Sequence, residues 1–546
     1  MIVTPGQPNP YHLDLSALKI LIIDDFVDMR AMMRRTVESF KGSHIELARD
    51  GDEALEKMAA TKFDLVLCDY NLGDGKDGQQ ILEEAKHRKY ISSTTIWMMI
   101  TAETTVEMVM GALEYKPDDY LTKPFTKQEF ALRVMKIQAR KADVKDVLVS
   151  RDKGAYEKAL EQVAAHLAKK ETFELLQIQA DLYERLQAWA QADAIYIKVF
   201  SSRPVAWAQL GHARMLIQRE QFDEAKDLLT AAIAQMPTLV EAYDLLAGIH
   251  ERLRDPKSAQ KVLESAIAQS PKAILRQKAL ARLAYANGDL DIAEKAYRRI
   301  IKMGRGSVHK AAEDYSGLAK VFADKGATMD AMKTLATLKD EFKHNHEALL
   351  QGLLVECELC AKLGMTDQAN QAMDAATTVA KKATNVSNTV AKELIQAALA
   401  AKREILAEEL ATILVTNNHD NIALAAQLEA LFTAAGKTDL ARSLIARAQS
   451  ATQDVLAKGT EMVRQGALDN AVTYFLEAVA ATPNNLQVNL AVAQTLIKAM
   501  QKNGKTERQM FLLRQSLEKI RQLDAENPML PTLQDVYRQL AAMQSI

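Results

Sequence analysis

Five side chains in the first quarter of the sequence could do chemistry together: the carboxylates of Asp24, Asp25 and Asp69, the hydroxyl of Thr101 and the ammonium of Lys123. Carboxylates packed at roughly 4 Å repel by about 4 kcal/mol per pair at an effective dielectric of about 20, so the set needs a cation or raised pKa values. A divalent metal is the simplest answer. Mg²⁺ prefers a few carboxylate oxygens with retained waters, and it neutralises phosphoryl oxygens during transfer. Lys123 can contact an acceptor carboxylate or an incoming phosphate as a point charge, and the Thr101 hydroxyl can donate to a phosphate oxygen. The chemistry this assembles is transfer of a phosphoryl group to Asp69.

Such a site needs elements that bring distant residues to one edge. Lys19 onward reads Lys-Ile-Leu-Ile-Ile-Asp-Asp, an apolar strand with its carboxylates at the C-terminal end. Further strands are expected near Ile45–Ala48, Phe63–Cys68, Thr94–Ile100 and Asp119–Leu121. Helices are expected over Val27–Phe40, from Gly51 through Met58, and over Ile81–Arg88, Thr105–Leu113 and Thr126–Arg140. Alternating strands and helices imply a parallel sheet covered on both faces, whose functional crevice lies beyond the carboxyl ends of the strands. Asp24, Asp25, Asp69, Thr101 and Lys123 all fall at or just after those ends. Asp50, Asp64 and Asp77, also acidic and near element ends, are expected to serve as local caps, and Trp97 as core packing.

Residues 18–140 resemble a response-regulator receiver domain at each diagnostic position: the acidic pair Asp24-Asp25, Asp69 ending the third strand, Thr101-Ala102, and Lys123-Pro124. The stretch from Ala48 to Leu55 is also similar to the family's second strand-to-helix turn. The resemblance implies a doubly wound flavodoxin-like sheet of order 2-1-3-4-5, with Asp69 as phosphoacceptor. It implies Mg²⁺ held by Asp25, Asp69 and the Asn71 backbone carbonyl, with Asp24 acting through water, and a cis bond before Pro124. It makes Tyr120 a rotamer switch coupled to Thr101, although apolar neighbours would also bury Tyr120 as an ordinary core aromatic. Asn71 and Glu103 occupy the positions that tune hydrolysis of the acyl phosphate, and this combination implies a brief signal.

The chain has 546 residues, 69 Lys+Arg against 71 Asp+Glu, and three cysteines. The charge balance gives no global pull toward nucleic acid or an anionic membrane, and the cysteines fit a reducing, cytoplasmic setting rather than a disulfide framework. No apolar run is long enough to span a membrane. Residues 1–16 read as a flexible tail, 17–140 as the receiver, and 141–154 as a helical linker that extends the last receiver helix, with Lys141–Lys145 a solvated face.

From 155 to 546 the sequence is helical throughout, and its repeat is visible in small residues. Ala192, Ala225, Ala259 and Ala471 each lie twelve residues before a proline (Pro204, Pro237, Pro271, Pro483). Ala180, Ala247, Ala281 and Gly459 lie twelve residues before an alanine, whereas the interval from Gly211 to Ala225 is fourteen. Antiparallel helices cross closely where both carry small side chains, and proline ends the second helix. The pattern resembles tetratricopeptide repeats, clearest over 172–305 and 455–485. Gly326/Ala331, Gly364/Ala369 and Gly436/Ala441 read as irregular copies, Val390–Thr416 as helix without a fixed register, and residues after Gly504 as capping helices. A generic helical bundle lacking a concave groove is the alternative. Cys357 and Cys360 are expected to be buried thiols, and His344 and His346 exposed.

The reading is a two-component response regulator phosphorylated on Asp69 by a histidine kinase. Its output is protein binding in the repeat groove, acting on a signalling partner or on its own kinase, with no enzyme activity beyond the receiver's own phosphoryl transfer and autodephosphorylation. No nucleic-acid or membrane partner is expected, and a receiver-mediated homodimer is left open. The alternatives are a receiver-controlled enzyme or phosphatase with an unrecognised site in the helical region, or a nucleic-acid-binding regulator.

Overall fold

The computed structural model describes residues 13–73, 75–102, 116–382, 386–418, 421–525 and 527–542. The helix expected over Thr105–Leu113, together with Glu103, lies outside them. The chain forms two compact units, residues 1–334 and 335–546.

The first unit opens with a five-stranded parallel sheet, β1 Lys19–Ile23, β2 His44–Ala48, β3 Leu65–Asp69, β4 Ile96–Thr101 and β5 Asp119–Thr122, in the order β2-β1-β3-β4-β5. Alternation along each central strand sends side chains to opposite faces. Leu21, Ile23, Val66, Cys68, Trp97 and Met99 enter one core, while Ile20, Ile22, Leu65, Leu67, Met98 and Ile100 enter the other. Both faces are therefore dry, which explains why these strands read as continuous apolar runs. Helices α1 Val27–Glu38, α2 Gly51–Ala60, α3 Gly78–His87 and α4 Lys127–Asp143 cover them.

Asp50 caps α2 by accepting from the Glu53 amide, and Asp77 closes a capping box with Gln80 at the start of α3. Both are local caps, as expected, whereas Asp64 is not: it accepts from the Lys19 amide at 2.9 Å, 45 residues away, and ties the start of β1 to the residue before β3. The box starts α3 at Gly78, ahead of the Ile81 expected from apolar periodicity alone.

Three expectations about the edges of this domain need correction. Leu13 and Leu15 are buried, and the Leu15 amide donates to the Phe40 carbonyl; the described end of the expected tail therefore belongs to the core. The last receiver helix does not run on into the linker. It stops at Val144, and a separate helix, Lys145–Asp152, follows. The turn buries Val144, Val147 and Leu148 against Ala159, Val163 and Leu175, apolar area that a straight solvated helix would leave in water. Lys141 is not solvated either: its ammonium donates to Asp118 at 2.8 Å and to the Thr95 carbonyl.

Helical hairpins complete this unit, pairing Phe173–Arg185 with Trp189–Ser202, Ala206–Gln218 with Phe222–Gln235, Val240–Arg252 with Pro256–Gln269, and Ile274–Ala286 with Leu290–Gly304; Ala312–Asp324 follows. The small residues found by spacing sit at the crossings. Ala180, Ala192, Ala225, Ala259, Ala281 and Ala293 are fully buried, and a Cβ on Gly211 would lie 2.3 Å from the Tyr196 ring.

The second unit continues the hairpins with His346–Lys362 and Thr366–Lys382, then Asn388–Ala400 and Glu404–Asn417, which fixes the register the sequence left open. The 27-residue helix Thr438–Arg464 joins what spacing separates into the Gly436/Ala441 copy and the start of the 455–485 copy. Gly459 on that helix packs against Phe475, where a Cβ would come within 2.1 Å of the ring. Cys357 and Cys360 are buried free thiols, and burial raises both pKa values. His344 and His346 are exposed.

Within the hairpins of both units the turn residue adopts a left-handed backbone. It is glycine at Gly288, Gly326, Gly364, Gly436 and Gly466, but Gln187, Glu220, Arg254 and Lys402 take the same conformation at φ of 56–59°. Among the described residues no helix is long and apolar enough to cross a membrane.

Candidate functional site

The C-terminal ends of β1, β3, β4 and β5 meet, as the parallel order requires, and deliver the expected side chains to one edge. Asp24 follows β1 and is fully buried. Its Oδ1 accepts from the Phe26 amide at 2.8 Å and its Oδ2 from Lys123 Nζ at 2.9 Å. Asp69 ends β3, and its Oδ2 also accepts from Lys123 Nζ at 2.9 Å. One ammonium thus bridges two buried carboxylates. Burial raises the pKa of Asp69 above the ordinary carboxylate value, with the Lys123 hydrogen bond and charge working against it. Burial alone would lower Lys123, but the two carboxylates outweigh it and raise its pKa.

Asp25 stands beside them, half buried, and ligand oxygens of Asp24, Asp25 and Asp69 lie within 4.8 Å of one another. Its Oδ1 is buried without a hydrogen-bond partner. Three carboxylates against one ammonium leave excess negative charge, and the donors are hard oxygens. An orphaned carboxylate oxygen in such a place fits a hard divalent cation, and Mg²⁺ meets that description.

Thr101 ends β4 fully buried, and its carbonyl accepts from the Lys123 amide at 2.6 Å. The Lys123–Pro124 bond is cis. Tyr120 on β5 pairs in register with Met99 and packs with the core face that includes Tyr70. Its hydroxyl is buried without a partner, and burial raises its pKa. Asn71 is exposed on the loop after β3. Two neighbours were not foreseen: Arg30 on α1 donates to the Asp24 carbonyl, and Phe26 is 67% exposed beside the acidic pair. A contact to a backbone carbonyl leaves no mark in side-chain spacing, so nothing in the sequence singles out Arg30.

Comparison with known proteins identifies two regions of the chain. The pattern of the response regulator receiver domain matches residues 20–135, and that of the tetratricopeptide repeat matches residues 216–274. The transcriptional regulatory protein ResD of Bacillus subtilis is 33% identical over 122 residues, covering 22% of this chain and 48% of that protein. This chain spans about half the length of the curated relatives it matches. Among solved structures, a CheY-like receiver domain protein from Methanospirillum hungatei is 26% identical with a TM-score of 0.20, covering 22% of this chain and 94% of that one. The C-terminal part of a TPR repeat-containing protein from Cytophaga hutchinsonii is 15% identical with a TM-score of 0.38, covering 46% and 99%. The chain therefore joins a response regulator receiver domain to a tetratricopeptide-repeat region.

Proposed function

We propose that this protein is a response regulator that accepts a phosphoryl group on Asp69 from a histidine kinase and uses its repeats to bind a protein. The observation that carries the reading is Lys123 Nζ held 2.9 Å from both Asp24 and Asp69, beside the unpartnered oxygen of Asp25. An Asp69 carboxylate oxygen attacks phosphorus, the bond from phosphorus to the donor imidazole nitrogen breaks, and an acyl phosphate forms. Lys123 orients the carboxylate and offsets charge on the transferred oxygens. The Thr101 hydroxyl accommodates a phosphoryl oxygen, and Tyr120, whose hydroxyl has no partner, is free to change rotamer with it. Mg²⁺, when bound by Asp25, Asp69 and the Asn71 carbonyl with Asp24 behind it, supplies neutralisation of phosphoryl charge. Asn71 faces solvent where it can admit hydrolytic water, so the signal is short-lived. The repeats bind an extended or helical segment of a partner, because stacked hairpins present a continuous surface built from successive first helices.

The test is to expose the full chain to a small phosphodonor with Mg²⁺, read intact mass, and then capture partners with and without beryllofluoride. Phosphoryl incorporation that is lost in Asp69→Ala, with partner recovery that differs between the two states, is the expected result. Identical recovery in both states and in Asp69→Ala would reject control by phosphorylation.

A further inference from the structure

The helix that follows the acceptor strand is fixed at both ends of its first turn. At one end, Gly78 lies so close to the Asp69 carbonyl that a Cβ there would stand 2.3 Å from the oxygen. No other residue fits without moving either the helix or the acceptor. At the other end, Gln80 does two jobs with one amide. Its Oε1 accepts from the Asp77 amide at 3.1 Å, completing the capping box, while its Nε2 donates to the carbonyl of Met303 at 3.1 Å. Met303 belongs to the helix Leu290–Gly304 of the repeats, in the same compact unit.

Two further ties flank that bond. His309 Nε2 lies 2.9 Å from Glu83 Oε1, one turn further along α3. Lys272 Nζ donates to the Tyr70 hydroxyl at 3.3 Å and sits 5.3 Å from the centre of its ring. Tyr70 immediately follows Asp69 and shares a core face with Tyr120. The Lys76 side chain also lies against the backbone of Gly306, where a Cβ would stand 3.0 Å from Lys76 Cγ, at a φ of +87°. The contact is polar and incompletely filled, with a cavity of about 370 Å³ lined by residues including Asp77, Gln80, Lys272 and Met303. A second cavity, of about 550 Å³, has Glu83 on one wall, and Asp244, Ala247, Leu275 and Arg276 from two successive first helices of the hairpins on the other.

We infer that the repeat surface formed by Lys272, Met303 and His309 is a docking site for the receiver's own α3, and that loading the Asp69 site releases it. This rests on the proposed phosphorylation of Asp69. Among the described residues, the receiver side chains that make these three ties, Tyr70, Gln80 and Glu83, lie within the segment 70–83, which begins one residue after the acceptor. The ties described are polar and partly solvent-accessible: two hydrogen bonds, a histidine–carboxylate contact and a cation over a ring, beside an incompletely filled cavity. A contact of that strength is one that a change at Asp69 can overturn. Release frees the repeat helices lining the second cavity for a protein partner.

Hydrogen exchange on the full chain tests this, with peptides covering residues 77–88 and 300–310 followed in the presence and absence of Mg²⁺ and beryllofluoride. Exchange in 300–310 is expected to rise several-fold on loading. It should rise without loading in Glu83→Lys and, as a milder second variant, in Gln80→Ala, and return toward wild type when Glu83→Lys is combined with His309→Glu. Circular dichroism confirms that each variant is folded. Unchanged exchange in both single variants would show that the contact is not made. Phosphoryl incorporation on Asp69 by intact mass, with unchanged exchange at 300–310 on loading, would overturn the inference and leave the phosphorylation reading standing. Absence of incorporation would overturn both.

Discussion

The strand-end pocket and the helical hairpins hold themselves together by opposite means. In the pocket, one ammonium satisfies two buried carboxylates and a third carboxylate keeps an oxygen unpartnered; each group is irreplaceable because its chemistry is. In the hairpins, fully buried alanines and glycines matter for what they lack, since their absent bulk lets Tyr196 or Phe475 enter. Function in the first region is concentrated in a few atoms, whereas fold in the second is spread over a period. Substitutions should therefore act on transfer in one region and on stability in the other.

The largest expected effect is Asp69→Ala, which should abolish phosphoryl incorporation by intact mass while leaving the far-ultraviolet circular dichroism unchanged. Incorporation that persists would move the chemistry away from the pocket. Next, Lys123→Met leaves Asp24 and Asp69 buried without their cation and should destabilise the protein in chelator by about 3–5 kcal/mol, as measured by denaturant unfolding. Mg²⁺ should recover more stability in this variant than in wild type. Because the folded Lys123 has a pKa raised above 10.5, its contribution is full at neutral pH and is lost only as pH rises through that raised value.

On the hairpin side, Gly459→Val should cost about 1–3 kcal/mol by forcing Phe475 out of place, with phosphoryl incorporation unaffected. Loss of incorporation in that variant would break the separation between the two regions. The smallest effect is a gain: Glu220→Gly and Arg254→Gly relieve a left-handed backbone and should each stabilise by up to about 1 kcal/mol, seen as a higher midpoint in thermal unfolding. The acyl phosphate should decay well within an hour, and Asn71→Lys should slow that decay.

The same contrast explains what the sequence makes legible. The pocket is readable from residue identity, because carboxylates at the ends of apolar strands are conspicuous and a parallel sheet must gather them. The hairpins are readable from spacing where glycine marks the turn and alanine the crossing. They blur where Lys402 takes the turn position, or where one helix runs unbroken from Thr438 to Arg464. The break at Val144 was missed because charged residues on either side suggest a solvated helix, whereas burial of Val144, Val147 and Leu148 decides the local path. The bond between Glu83 and His309 spans 226 residues, and neither residue type nor period announces it.

Gln80 has a consequence for how this receiver can be used. Its amide is committed at once to the first turn of its own helix and to a carbonyl in the repeats. A chimera that transplants a related receiver onto these repeats would keep its phosphotransfer chemistry yet lose its wiring, unless the graft also carries glutamine at that position and an acid one turn later. On the reading proposed above, the receiver is not an interchangeable module, and the smallest piece of the chain that carries its wiring reaches at least to His309.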